Sequence, residues 1–193
     1  MESLSGDLVN LRPPRDEDSE FLASLRNDLR TQAWNQRLPP CVMPKRIEER
    51  LNEVLKRPHT ALLIIETKDG GNVGCLNYDE GPPRLSATVG ISIQTDYWGK
   101  GHALEAMELL LQFLFEERGL LVVRAWTQSG NKRAVKMLEK LGFKKSARVR
   151  ESAIIEGQVF DTLQMDILRE EYFESRGIED KTRDRLEIGI RNR

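Results

Sequence analysis

The sequence has little cysteine, almost no net charge and no long apolar run, and each shortage removes a class of protein. Its 193 residues hold two cysteines, Cys41 and Cys75. They lie far apart and form no Cys-x-x-Cys pair, so the sequence offers no zinc framework and no metal site. They read as reduced thiols of a cytoplasmic protein. Thirty basic residues face 31 acidic ones, a formal charge of -1. That balance gives no reason to expect nucleic acid as a partner. The longest apolar runs, 61–65 and 109–111, are far too short to cross a bilayer. Residues 1–11 lack the basic stretch and apolar run of a secretory leader. The expectation is a soluble cytoplasmic chain with no membrane partner.

What is present suits one domain. Hydrophobic residues make up 39% and charged residues 32%, enough to build a substantial core at this length. Residues 1–175 read as the domain and 176–193 as a charged tail. Leu186, Ile188 and Ile190 in that tail offer a contact for a homodimer.

Patterning gives the order of elements. Residues 8–11 read as a strand stopped by Pro13 and Pro14. Asp16 or Asp18 caps a helix carrying Phe21, Leu22, Leu25 and Leu29, and a second helix carries Ile47, Leu51, Val54 and Leu55. Residues 61–66 and 73–78 flank a turn at Asp69, Gly70, Gly71 and Asn72. Ala87, Val89, Ile91 and Ile93 alternate with polar neighbours, a strand with two unlike faces. Ala103, Ala106, Met107, Leu110 and Leu114 form one stripe of a long helix over 101–118, which Gly119 stops. A strand over 121–127, a helix from Asn131 to Lys140 and a hairpin turning at Glu156 and Gly157 complete the domain. This order predicts an α+β domain of three layers, a mixed sheet with helices on both faces.

Two segments carry chemistry. The first runs Tyr97, Trp98, Gly99, Lys100, Gly101, His102, Ala103 and opens the long helix. Its glycines permit a tight turn close to a ligand. The first N–H groups of the helix have no internal partner and the helix dipole favours an anion there, so the turn reads as a cradle for a diphosphate. It is no Walker loop, because Gly101 and not Ser or Thr follows Lys100. It also lacks the third glycine of a dinucleotide fingerprint. The second segment runs from Asn131 and Ala134 through Leu138 to Leu141, Gly142 and Phe143. On local grounds Asn131 is a helix cap.

Together the two segments resemble the GNAT superfamily of N-acetyltransferases over roughly residues 8–175. They are similar above all to the branch that acetylates N-terminal amines of ribosomal proteins (the RimJ/RimL-like branch) and to related polyamine acetyltransferases. The family's phosphate loop, Arg/Gln-x-x-Gly-x-Gly/Ala, falls on Trp98 to Ala103, with Trp98 departing from its first position. The resemblance implies a GNAT fold with a mixed, mostly antiparallel sheet, and acetyl-CoA as cosubstrate. The N–H groups of 99–103, with Lys100 and His102 adding positive character, would hold its diphosphate. Val89, Ile91 and Ile93 would lie on a strand splayed from its neighbour, pairing with the pantetheine arm. Asn131 would bond that arm near the thioester and Ala134 would leave it room.

The resemblance implies transfer of an acetyl group to a primary amine by direct attack on the thioester. It leaves proton transfer open. Relatives often carry Glu where Thr88 stands and a Tyr acid where Leu138 stands. Neither residue here can do that work. The sequence-level candidates for a base are Glu80 and Glu151, with Asp79 and Asp161 beside them. An acceptor groove would come from residues 30–44, including Trp34 and Asn35. The acceptor could be a peptide N-terminus, a polyamine, an amino sugar or an aminoglycoside. A catalytically weak acyl-CoA-binding regulatory module is the alternative.

Overall fold

The computed structural model describes residues 3–34, 41–81 and 85–180. Asn35, the pairs Pro39-Pro40 and Pro82-Pro83, the Leu55 side chain, and Leu186, Ile188 and Ile190 lie outside the described residues. In chain order the elements are β1 (Leu4–Ser5), β2 (Val9–Arg12), α1 (Asp18–Asn27), α2 (Leu29–Gln32), α3 (Pro44–Leu55), β3 (Thr60–Thr67), β4 (Asn72–Gly81) and β5 (Ser86–Ile93). A 3₁₀ turn (Thr95–Tyr97) leads into α4 (His102–Gln112), which widens into a π-helical turn (Phe113–Glu117). Then come β6 (Val122–Gln128), α5 (Lys132–Lys140), β7 (Lys144–Ile155), β8 (Gln158–Leu168) and α6 (Arg169–Arg176).

Among the described residues eight strands form one sheet in the order β1-β2-β3-β4-β5-β6-β8-β7. Every neighbouring pair is antiparallel except β5 and β6. The parallel pair is where α4 crosses over. Alternation along β3 sends its residues to two cores. Leu63 and Ile65 join the larger one, with Met107, Leu110 and Leu114 of α4 and its extension. Ile64 and Leu62 meet Leu22, Ile47 and Leu51 of α1 and α3 on the opposite face. Helices therefore cover both faces, as patterning predicts. The α5 residues Val135 and Leu138 belong to the larger core.

Several local readings change. The first strand begins at Val9, and a two-residue strand, β1, precedes it. Leu29 is exposed in a separate short helix rather than the end of α1. The last helix is followed by residues that fold back. Buried Arg169 donates to the carbonyls of Phe115 and Leu120. It also pairs with Asp180 at 2.7 Å.

Neither Asp16 nor Asp18 caps α1; the cap position is Glu17, which makes no side-chain cap bond. Asp18 is the first helical residue and is buried against Arg12, which donates to its two carboxylate oxygens at 2.7 and 2.9 Å. The Arg15 N–H and the Asn72 amide also donate to it. Arg12 reaches Glu66 and Asn72 at 3.0 Å each. This network joins the end of β2, the start of α1 and the hairpin between β3 and β4. Burial alone raises the Asp18 carboxyl. The bonds from Arg12 and from the Arg15 N–H outweigh it and hold the group below the usual carboxylate range. Its contribution is therefore present above the unfolded-state pKa and is lost as pH falls through the lower folded value.

Asp18→Ala leaves Arg12 buried without its main partner and should cost roughly 3–5 kcal/mol in urea unfolding at neutral pH. Removing Glu17 from its exposed pair with Arg15 should cost under about 0.5 kcal/mol in the same assay. A loss for Asp18→Ala no larger than that of Glu17→Ala would refute the keystone role.

Candidate active site

The β5–β6 ladder stops early. Ser86 to Val89 pair with Val122 to Ala125, and no bridge follows. On its other side β5 stays paired with β4 to Ile93, while β6 stays paired with β8 to Gln128. Each strand follows its outer neighbour, and a cleft opens between them beyond Val89 and Ala125. Its volume is about 480 Å³. Ile91, Ser92 and Ile93 form one wall, and Asn131, Arg133, Ala134 and Met137 of α5 form the other. Thr31 and Trp34 lie at the end supplied by α2.

The glycine turn forms the remaining boundary. Gly99 has φ 74° and Gly101 φ 91°. This left-handed region costs a residue with a Cβ roughly 1–2 kcal/mol. Gly101 occupies the cap position of α4 without a side chain to fill it. Among the described residues none of the N–H groups of 99–104 has an acceptor. They form an array of free donors at the positive end of a helix, the arrangement that fits a diphosphate.

Of the side chains around this turn, Tyr97, Trp98 and Arg133 line the cleft, and Trp98 and Arg133 also brace the turn. The Trp98 ring is partly buried, and its Nε1 donates to the Ile93 carbonyl at 2.9 Å, tying the turn to the end of β5. The Arg133 guanidinium lies 3.4 Å from the Trp98 ring centre, a cation–π contact between the turn and α5. Lys100 and His102 do not line the cleft; both pack on Tyr97, at 5.6 and 5.2 Å between centres. His102 Nδ1 is buried and has no hydrogen-bond partner among the described residues.

Asn131 does cap α5. Its Oδ1 accepts from the Ala134 N–H at 3.2 Å. Asn131 also lines the cleft, and its Nδ2 group has no partner among the described residues. Val89 is buried below the fork rather than in the cleft wall. Gly130, between β6 and α5, must be glycine for space: an added Cβ would stand 2.5 Å from Phe160 and 2.6 Å from Trp34. Trp34 meets Phe160 edge-on at 5.3 Å. It is both packed and on the cleft wall.

The carboxylates proposed as bases are placed elsewhere, and the expectation for Glu80 and Glu151 is corrected. Glu80 is buried and held by Arg118 at 2.9 and 3.0 Å. It pairs across the ladder with Ala87, four residues before Ile91, roughly 13 Å along the strand. Glu151 is exposed at a bulge of β7 with φ 48°, where its N–H donates to Asp161. That bond holds Asp161 below the ordinary carboxylate range, and Arg148 adds to it, which makes Asp161 a poorer proton acceptor. Asp79 is exposed and accepts from Thr60 at 2.9 Å. No Asp or Glu among the described residues lines the cleft, whereas Arg133, Lys136 and Lys140 do. Thr88 is exposed on the opposite face of β5, and Leu138 is buried in the core. Burial pushes the Cys75 thiol up to about 11, so it is no nucleophile at neutral pH. Among the described residues no cluster of His, Cys, Asp or Glu could hold a metal ion.

Sequence reasoning missed Arg133 and Met137 as cleft residues, and it placed Tyr97 in the glycine segment without giving it a role. The helical spacing of Arg133, Met137 and Lys140 was the available signal. A hollow of about 650 Å³ under α6, lined by Leu121, Phe173 and Ile178 among others, is larger than the cleft. It holds none of the free-amide turn and none of the residues of the second segment. The chemistry favours the smaller space.

Known proteins resemble this arrangement. A Bacillus licheniformis protein described as the uncharacterized N-acetyltransferase p20 is 29% identical over 86 residues, 45% of this chain and about half, 48%, of that relative. The SPbeta prophage-derived uncharacterized N-acetyltransferase YokL of Bacillus subtilis (strain 168) is 25% identical over 170 residues, 87% of this chain and 94% of that one. In fold, the spermidine N-acetyltransferase of Vibrio cholerae, solved with CoA and spermine, superposes with a TM-score of 0.80 at 22% identity. The superposition covers 87% of this chain and 99% of that one. A GNAT-family acetyltransferase of Bacillus anthracis reaches 0.75 at 16% identity over the same shares. The acetyltransferase (GNAT) domain family matches residues 9–144. That span takes in β2, the glycine turn, the fork between β5 and β6 and all of α5, and by it the chain belongs to the GNAT acetyltransferase family.

Proposed function

We propose that this chain transfers an acetyl group from acetyl-CoA to a primary amine by direct attack on the thioester. The observation that carries this reading is the fork at Val89 and Ala125 with the free-amide turn beside it. Acetyl-CoA, when bound, supplies the activated acyl group. The N–H groups of 99–104 would hold its diphosphate. The unpaired edge of β5 beyond Val89 would bond the pantetheine arm as an added strand. The Nδ2–H of Asn131 would donate to the same arm, and Ala134 leaves it room. A backbone donor of β5 aimed at the thioester oxygen would supply roughly 3–4 kcal/mol of stabilisation as negative charge develops.

With no carboxylate in the described cleft wall, the amine would lose its proton to solvent. A basic rim without acids also argues against a polycation as the preferred acceptor. It favours an amine with few further charges, such as a peptide N-terminus or an amino sugar, over a polyamine. The same lack of a base gives some support to a second reading, an acyl-CoA-binding module with little catalysis. Thiol release that depends on added amine separates the two.

The direct test is a panel of peptide N-termini, polyamines, amino sugars and aminoglycosides assayed for CoA thiol release. Solvent deprotonation predicts that kcat/KM for the best acceptor rises about tenfold per pH unit up to the acceptor's own pKa, roughly 8 for a peptide N-terminus or about 10 for an alkyl amine. A flat profile through that range would refute solvent deprotonation. No thiol release with any amine, from protein that binds CoA, would favour the binding module.

Asn131→Asp keeps an acceptor for the Ala134 N–H and removes the amide donor proposed for the cofactor arm. It should leave the melting temperature within a degree or two of wild type and raise KM for acetyl-CoA by about five- to tenfold. Asn131→Ala should add a stability loss of about 1 kcal/mol. An unchanged KM in Asn131→Asp would count against any contact of this side chain with the cofactor.

A further inference from the structure

We infer that Glu105 is a positioning residue that holds the diphosphate turn in shape by way of the N-terminal hairpin; this rests on the acetyl-CoA reading given above. Glu105 stands in the first turn of α4. Its carboxylate does not face the cleft. It accepts from three successive backbone N–H groups, those of Asp7, Leu8 and Val9, at 2.8, 2.8 and 2.7 Å. Charge-assisted bonds of this length are the strong ones. Three of them converging on one carboxylate fix the loop between β1 and β2 against the helix.

The sheet holds the β2 side of this hairpin, through four residue pairs with β3, but gives the β1 side and the connecting loop little support. β1 has two residues and pairs with β2 only at Leu4–Leu11 and Ser5–Asn10, closed by a Gly6 N–H to Val9 carbonyl bond of 2.9 Å. Hairpins this short are not stable alone in water. Once anchored, the loop brings Leu8 over the glycine turn. A Cβ built on Gly101 would lie 3.2 Å from Leu8 Cδ1. Leu8 is 44% exposed and lies against the turn on its covered side. Gly101 has φ 91°, a conformation that unsupported backbone leaves readily, and it orients the N–H groups on either side of it. The chain of contacts therefore runs from Glu105 to the loop at 7–9, to Leu8, to Gly101 and so to the free amides.

Glu105 is also an anion near the place where another anion would bind. Its three N–H partners take up its negative potential, and the helix dipole stabilises it. Two roles then make opposite forecasts for Glu105→Gln. If the carboxylate mainly repels the diphosphate, the neutral variant binds CoA more tightly. If it mainly anchors the loop, the variant binds more weakly, because an amide offers one good acceptor and sets an NH₂ against backbone donors.

The experiment uses the full chain and two acetyl donors, acetyl-CoA and S-acetylpantetheine, which lacks the diphosphate. Glu105→Gln should raise KM for acetyl-CoA about tenfold with kcat within about twofold, and leave kcat/KM for S-acetylpantetheine within about twofold. Gly6→Ala is the second variant. The three atoms nearest to its Cβ all belong to Glu105, the closest being Cδ at 2.7 Å, and it should reproduce the pattern. Direct titration of CoA reads the same effect if turnover is slow. Equal losses for both donors, no change, or tighter CoA binding would each overturn the assignment of Glu105. Wild-type protein that does not bind CoA would instead overturn the reading on which it rests.

Discussion

The cleft exists because one parallel ladder is shorter than the antiparallel ladders on either side of it. β5 and β6 share four residue pairs and then part, each held by its outer neighbour. Backbone groups freed inside a fold are costly unless water or a ligand takes them up. The fork therefore remains open to solvent, lined by Ile91 and Ile93 on one side and α5 on the other. Two side chains hold its mouth. Trp98 donates to the Ile93 carbonyl, and Arg133 stacks on the Trp98 ring from α5. Trp98 departs from the family's phosphate-loop pattern; it lines the cleft and also braces it. It ties the glycine turn to the strand whose edge is free.

The two walls meet a ligand by different means. The turn offers backbone, and its glycines are needed because Gly99 and Gly101 adopt positive φ. The helix α5 offers side chains, with Asn131 both capping the helix and lining the cleft. Neither wall has a described acid, and three basic residues of α5 face the opening. An anionic cosubstrate suits this field. Key carboxylates of the domain are engaged in structure instead: Asp18 with Arg12, Glu80 with Arg118, and Glu105 with the N–H groups of 7–9.

Local pattern made much of this legible. The alternation at Ala87, Val89, Ile91 and Ile93 gave β5 to within a residue or two, and the stripe through Met107, Leu110 and Leu114 gave α4. Asn131 was readable as a cap, and Glu156-Gly157 as a tight turn, because both signals act over a few residues. Long-range partners were not readable. Arg118 follows Glu80 by 38 residues in the chain, and nothing local marks Glu80 as half of a buried ion pair. Asp18 looked like a cap because Asp near a helix start usually is one. Its pairing with Arg12, six residues earlier, depends on how the chain turns from β2 into α1. β1 escaped notice because two residues carry no period.

The lack of a described carboxylate in the cleft narrows how the chemistry can work without ending it. A positioned base typically contributes about 10²- to 10⁴-fold. Holding amine and thioester in attacking geometry can contribute roughly 7–11 kcal/mol, and one oxyanion donor roughly 3–4 kcal/mol more. The larger shares come from position and from backbone dipoles, which the fork and its unpaired edge would supply in the proposed reaction. The smaller share falls to solvent, and its size is set by the fraction of acceptor that is already unprotonated. An acceptor with a low amine pKa meets that demand at neutral pH far better than an alkyl ammonium does. The basic residues of the described cleft wall and its lack of a carboxylate both suit the acceptor class proposed above, a weakly basic amine rather than a polycation.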